Sequence, residues 1–149
     1  RSRKPGVPTR LRVVLDTNVI ISGLISPKGP PAGILKALKA GRFILVTSQV
    51  INEEILEVMD RPRLRDKYGL ADHMFDIAFI LWEQAELITK PPAIKASRDP
   101  DDDKFLAAAA GGLAHYLVTG DIKDLLGLGE FKGTRIVSPD QFMAILHPK

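Results

Sequence analysis

Two short apolar runs in this chain each end in an aspartate, and that pairing limits the possible folds more than any other feature. Val13-Val14-Leu15 runs into Asp16, and Leu117-Val118-Thr119-Gly120 runs into Asp121. Both runs lack the polar alternation of a half-exposed strand, so both read as strands covered on two faces, as in a parallel sheet. Similar runs recur at Phe43-Ile44-Leu45-Val46, Leu87-Ile88 and Arg135-Ile136-Val137. Between them lie amphipathic stretches with helix signals. Val19 to Ile25 is broken by a Pro/Gly-rich segment, Gly33 to Ala40 closes on Gly41, and Ser48 caps a helix that stops near Arg61-Pro62. Leu70 to Leu87 carries one long helical stripe, Asp101 to Leu113 and Asp121 to Leu126 read as helices, and Ser138-Pro139 opens the last. The alternation predicts an α/β fold: a three-layer α/β/α sandwich around a parallel sheet of about five strands.

Composition narrows the class. The 149 residues suit one domain, 45% hydrophobic content argues against disorder, and the absence of cysteine excludes a thiol nucleophile, a thiolate zinc site and a disulfide scaffold. With neither a membrane-length apolar run nor a secretory signal pattern, a cytoplasmic protein is the expectation. The formal charge of +3 is unevenly placed. Residues 1–12 hold Arg1, Arg3, Lys4, Arg10 and Arg12 without an acid, leaving 16 basic and 18 acidic residues in 13–149. The expected organisation is a flexible basic arm over 1–12 and one slightly acidic domain over 13–149.

In an open parallel sheet, sites form beyond the carboxyl ends of the strands. Asp16 and Asp121 fall there together, although either alone would read as a helix cap. Glu54 lies beside the apolar stripe Val50, Ile51, Ile55 and Val58, where an ordinary surface glutamate is the simpler reading. Asp99-Pro100-Asp101-Asp102-Asp103 is the most anomalous stretch. One or two acids would suit a helix N-terminus, but four within five residues repel, by about 4 kcal/mol for a close pair at an effective dielectric of about 20. A divalent cation would relieve them. Helical spacing from Leu106, Ala107 and Ala110 makes Asp103 the acid expected to point inward.

Carboxylates from separate elements, with His73, His115 and His147 unclustered, describe an oxygen site for Mg²⁺ or Mn²⁺ rather than Zn²⁺. An EF-hand fails, because Lys104 stands at the glycine position and Ala110 at the glutamate position. A P-loop and a Gly-x-Ser-x-Gly elbow are absent, Asn18 stands where a haloacid-dehalogenase-type phosphatase needs its second Asp, and Gly127 to Gly133 reads as a turn. Water attack on a phosphodiester, assisted by metal, survives.

These residues resemble the PIN-domain family of metal-dependent ribonucleases, and more closely its toxin–antitoxin branch. The resemblance runs from Val13 to Leu146 and rests on Val14-Leu15-Asp16-Thr17-Asn18-Val19, Ser48 through Glu54-Ile55, Asp99 through Leu106, and Leu117 through Asp121. It implies that Asp16, Glu54, Asp103 and Asp121 are the catalytic, metal-holding acids, that Thr17, Asn18 and Thr119 orient them, and that Asp124 and Asp99 assist. It also implies RNA as substrate, an antitoxin partner and a homodimer. Arg61, Arg63, Arg65 and Lys67 form a basic cluster able to track phosphates, with a solvated loop as the equal alternative. Two other functions remain open: a non-catalytic nucleic-acid-binding or protein-interaction module, and a small-molecule phosphohydrolase.

Overall fold

The computed structural model describes residues 10–96, 99–121 and 123–147. The chain alternates β1 (Leu11–Leu15), α1 (Thr17–Ile25), α2 (Pro30–Lys39), β2 (Phe43–Ser48), α3 (Gln49–Met59), α4 (Pro62–Lys67), α5 (Met74–Phe79), β3 (Glu86–Ile88), α6 (Asp103–Gly111), β4 (Tyr116–Val118), β5 (Glu130–Phe131), β6 (Thr134–Val137) and α7 (Pro139–Leu146). Helix starts follow the capping chemistry of the sequence. Ser48 Oγ accepts from the Ile51 N–H at 3.4 Å, and Ser138 and Gln141 form a reciprocal capping box.

The sheet order is β3-β2-β1-β4-β6-β5, parallel except for the β5–β6 pair. Its central strands are buried along nearly their whole length, with Val13, Val14, Leu117 and Val118 fully covered. Strand alternation places Phe43 and Val46 on opposite faces of β2. Phe142 of α7 packs edge-on against Phe43, with ring centroids 5.4 Å apart, whereas Gly112 at the end of α6 lies against Val46. Helices therefore cover both faces, as the three-layer expectation requires. The order of strands reverses between β1 and β4, so a crevice opens beyond their carboxyl ends.

The sheet of about five strands is present with a short sixth, because Lys132 and Gly133, at φ of 49° and 88°, turn the chain back into the antiparallel β5–β6 pair. Three local expectations are corrected. The 70–87 stripe is not one helix. It divides into a 3₁₀ turn at Leu70–His73, α5, and a wide turn at Ile80–Gln84 closed by Ala85 N–H to the Ile80 carbonyl. There the buried Asn52 Nδ2 donates to the Leu81 carbonyl at 3.2 Å and Thr47 Oγ1 donates to Asn52 Oδ1 at 2.7 Å, so a side chain replaces the regular ladder. In place of the helix expected over 121–126, the described residues 123–125 form turns followed by a 3₁₀ turn at Leu126–Leu128. Finally, Leu11 and Arg12 belong to β1 rather than to an arm, since the Arg12 guanidinium pairs with Glu86 and its Nε donates to the Gly112 carbonyl at 2.9 Å. The rest of the expected arm, residues 1–9, lies outside the described residues.

Gly112 is needed for close approach: a Cβ there would sit 2.5 Å from Val46 Cγ1 and 3.1 Å from Ile88 Cδ1. Gly112→Ala should destabilise the protein by about 1–3 kcal/mol, read as a lowered urea midpoint; an unchanged midpoint would contradict the packing.

Candidate metal centre

The site is assembled from the junctions that follow β1 and β4. Asp16 leaves β1 in extended geometry and caps α1, its Oδ1 accepting from the Asn18 N–H at 3.1 Å. Its own N–H donates to the Val118 carbonyl at 3.0 Å, which fixes it to the end of β4. Thr119 Oγ1 donates to Asp16 Oδ2 at 2.7 Å and accepts from the Asp121 N–H at 3.0 Å. One buried hydroxyl thus ties the two acids at the switch in strand order. Asp121 Oδ1 in turn accepts from the Asp124 N–H at 3.0 Å. Thr17 and Thr119, expected as orienting residues, are both buried, while Asn18 stands exposed at the rim.

The other acids come from the middle of α3 and from the entry to α6. Glu54 on α3 is half-buried; its Oε2 accepts from the Thr17 hydroxyl, and its Oε1 meets Lys104 Nζ at 2.8 Å. The acidic run enters through a 3₁₀ turn at Pro100–Asp102, with Asp99 Oδ1 accepting from the Asp101 N–H at 3.0 Å, and α6 begins only at Asp103. The tighter turn changes which acid faces inward. The Asp102 carboxyl faces that of Asp121, whereas Asp103 Oδ1 accepts from the Ala96 N–H at 3.2 Å and does not line the cleft. The inward-pointing role expected of Asp103 falls geometrically to Asp102. Helical phase assumed a regular α-helix from Asp101, whereas the run enters α6 through a 3₁₀ turn. Asp99, Asp102 and Asp124 also converge, offering one oxygen each within 4.8 Å of one another.

Asp16, Glu54, Asp99, Asp102 and Asp121 line a cleft of about 620 Å³ with Lys104, Phe105, Gly120 and Arg61. Of the four basic residues expected to track phosphates, Arg61 lines the cleft and pairs with Glu57 at 3.5 Å. Arg63, Arg65 and Lys67 lie on α4 away from it, and Arg65 is engaged by Asp60 and Asp66.

The electrostatics at Asp16 and Asp102 are those of buried carboxyls close to other acids. Burial raises the Asp16 carboxyl above its ordinary value, the Thr119 and Asn18 hydrogen bonds oppose that shift, and the Glu54 and Asp121 charges add to it. Asp102 is pushed up to about 7, first by burial, then by its hydrogen bond with Asp121 and by the charges of Asp121, Asp16 and Asp99. Asp102 Oδ2 is buried with no donor among the described residues. Two facing carboxyls are stable only if they share a proton or a cation. Carboxylate oxygens without nitrogen or sulfur suit a hard divalent ion, so the residues present fit Mg²⁺ or Mn²⁺.

The PIN domain family model matches residues 12–123, and the chain belongs to that family. It is 34% identical over 119 residues to the uncharacterized protein MJ1680 of Methanocaldococcus jannaschii, covering 80% of this chain and 76% of that protein. The crystal structure of VapBC2 from Rickettsia felis, bound to a DNA fragment from its promoter, superposes with a TM-score of 0.53 at 14% identity over 86% of this chain and 98% of that one. That likeness is one of fold. PIN domains are generally nucleases that use divalent metals.

In metal-free protein the Asp102 shift sets the sign of a pH effect. Its folded value lies above the unfolded one, so the folded state holds the extra proton, and stability present at about pH 4 should fall as pH rises towards 7. Thermal unfolding in EDTA should show this decline, and Asp102→Asn should flatten it. An equal slope in both proteins would contradict the assignment.

Proposed function

We propose that this chain is a Mg²⁺- or Mn²⁺-dependent endoribonuclease and the toxin of a toxin–antitoxin pair. The observation that carries the reading is the pairing of the Asp102 and Asp121 carboxyls under the charge of Asp16 at the β1–β4 switch, beside Asp99, Asp102 and Asp124, which offer oxygens within 4.8 Å of one another. Asp16, Asp102 and Asp121 would hold the cation, with Glu54 on the wall of the cleft and Asp99 and Asp124 assisting. Bound there, the ion would supply Lewis acidity and lower the pKa of an attacking water.

The chain's own residues perform the rest. Thr119 and the Asn18 N–H fix both oxygens of Asp16, so its carboxylate needs no reorganisation before reaction. Thr17 holds Glu54, and Arg61 at the cleft supplies a cation for an RNA phosphate. Above Gly120 the cleft is open, since a Cβ there would meet nothing within 4 Å, and a sugar–phosphate backbone can approach. The toxin reading draws support from the VapBC2 fold, and it brings with it an antitoxin partner and a homodimer. Phe75, Phe79 and Trp82, exposed along α5 and the turn after it, offer an apolar face to such interfaces.

Asp16→Asn should abolish Mn²⁺-stimulated cleavage of single-stranded RNA, a loss of at least about 100-fold for a group acting at the reacting centre, while circular dichroism stays native. Cleavage by that variant at the wild-type rate would overturn the proposal, and RNA binding without cleavage by wild type would favour the non-catalytic module. Asp102→Asn should lose activity comparably and Asp103→Asn should keep it within several-fold; the reverse order would restore Asp103 as the third acid.

A further inference from the structure

Among the described residues, Lys104 and Arg61 are the cations of the cleft, and the proposed reaction does not use Lys104. Lys104, in the first turn of α6, has a side chain only 17% exposed and lines the cleft. Its ammonium is held on three sides: by Glu54 Oε1 at 2.8 Å, by the Asp101 carbonyl, and over the Phe105 ring at 4.9 Å from the centroid. Arg61, the other cation of the cleft, is turned to Glu57 instead.

The consequence falls on Glu54. Both its oxygens already receive donors, Oε2 from the Thr17 hydroxyl and Oε1 from Lys104. Asp102 contrasts with it, since its Oδ2 is buried with no donor among the described residues. Hydrogen-bonded oxygens alone do not set Glu54 apart, since Asp16 also accepts at both; the difference is the ammonium, because a carboxylate whose charge is already compensated by a cation has less demand for a metal than acids that face one another. We propose that Lys104 is a positioning residue that keeps Glu54 as a charge-compensated wall of the cleft, so that Glu54 is not a direct ligand of the divalent ion received by Asp16, Asp102 and Asp121. The inference rests on the proposed metal site and divides its acids into two kinds. It also explains how an acid-rich cleft folds before metal arrives, because one of its charges is neutralised from within.

Titration calorimetry of the full chain with MnCl₂ tests it, using wild type, Lys104→Met, Glu54→Gln, Lys104→Arg and the Lys104→Met/Glu54→Gln double variant. Lys104→Met should tighten Mn²⁺ binding several-fold by exposing the Glu54 charge, Glu54→Gln should weaken it several-fold by leaving Lys104 uncompensated, and Lys104→Arg should match wild type. The double variant, which leaves no charge unpaired, should return to within about two-fold of wild type, and it carries the test even if Lys104→Met fails to fold. A double variant ten-fold or more weaker than wild type would make Glu54 a direct ligand and overturn the inference. Equal affinities in every variant would also overturn it, by showing that the pair is not coupled to the ion. Wild type that takes up no Mn²⁺ would instead overturn the metal site itself, and this inference with it.

Discussion

The hydrogen bond from Thr119 to Asp16 joins the two halves of the site. It spans the strands at which the sheet reverses its order, and it connects through the Asp121 N–H to the second strand-end acid. Asp16 is only 6% exposed, and burial alone would push its proton back on. The Thr119 hydroxyl and the Asn18 amide oppose that tendency by solvating the carboxylate from within the protein. The same contacts cap α1 and lock the end of β1 against β4, so the elements that build the sheet also hold the acid in place.

Around this anchor the charges are arranged unequally. Glu54 is compensated by Thr17 and Lys104, while Asp102 and Asp121 face one another with a buried oxygen left over. A fold can carry that arrangement only if a proton or a cation occupies the gap, and the first choice costs the site its charge. The acid cluster therefore reads as a receptor for a hard ion. A strained helix start would explain the Asp99–Asp103 run less well, because Asp99 caps its turn conventionally and Asp103 finds a backbone donor.

Much of this was legible from the sequence because it depends on local rules. Apolar strands ending in Asp16 and Asp121 defined the sheet edge, and Ser48 and Ser138 marked helix starts that the structure retains. What escaped was phase. Sequence periodicity assigned Asp103 to the interior by assuming α-helical rotation through the acidic run, whereas the 3₁₀ turn at Pro100–Asp102 puts Asp102 there. The break in the 70–87 stripe had the same origin, since the buried Asn52 that takes the Leu81 carbonyl comes from a distant helix. The Lys104–Glu54 pair, fifty residues apart in sequence, required the tertiary fold to be seen at all. Net basicity was a poor guide: the site is acidic, and three of the four residues in the expected phosphate-tracking cluster lie away from the cleft.

The most direct measurement is anomalous scattering from crystals soaked in MnCl₂. A manganese peak bounded by the carboxylates of Asp16, Asp102 and Asp121 is expected, with Asp103 turned away to the Ala96 amide. A peak coordinated by Asp103, or crystals that take up no manganese at this cleft, would contradict this arrangement.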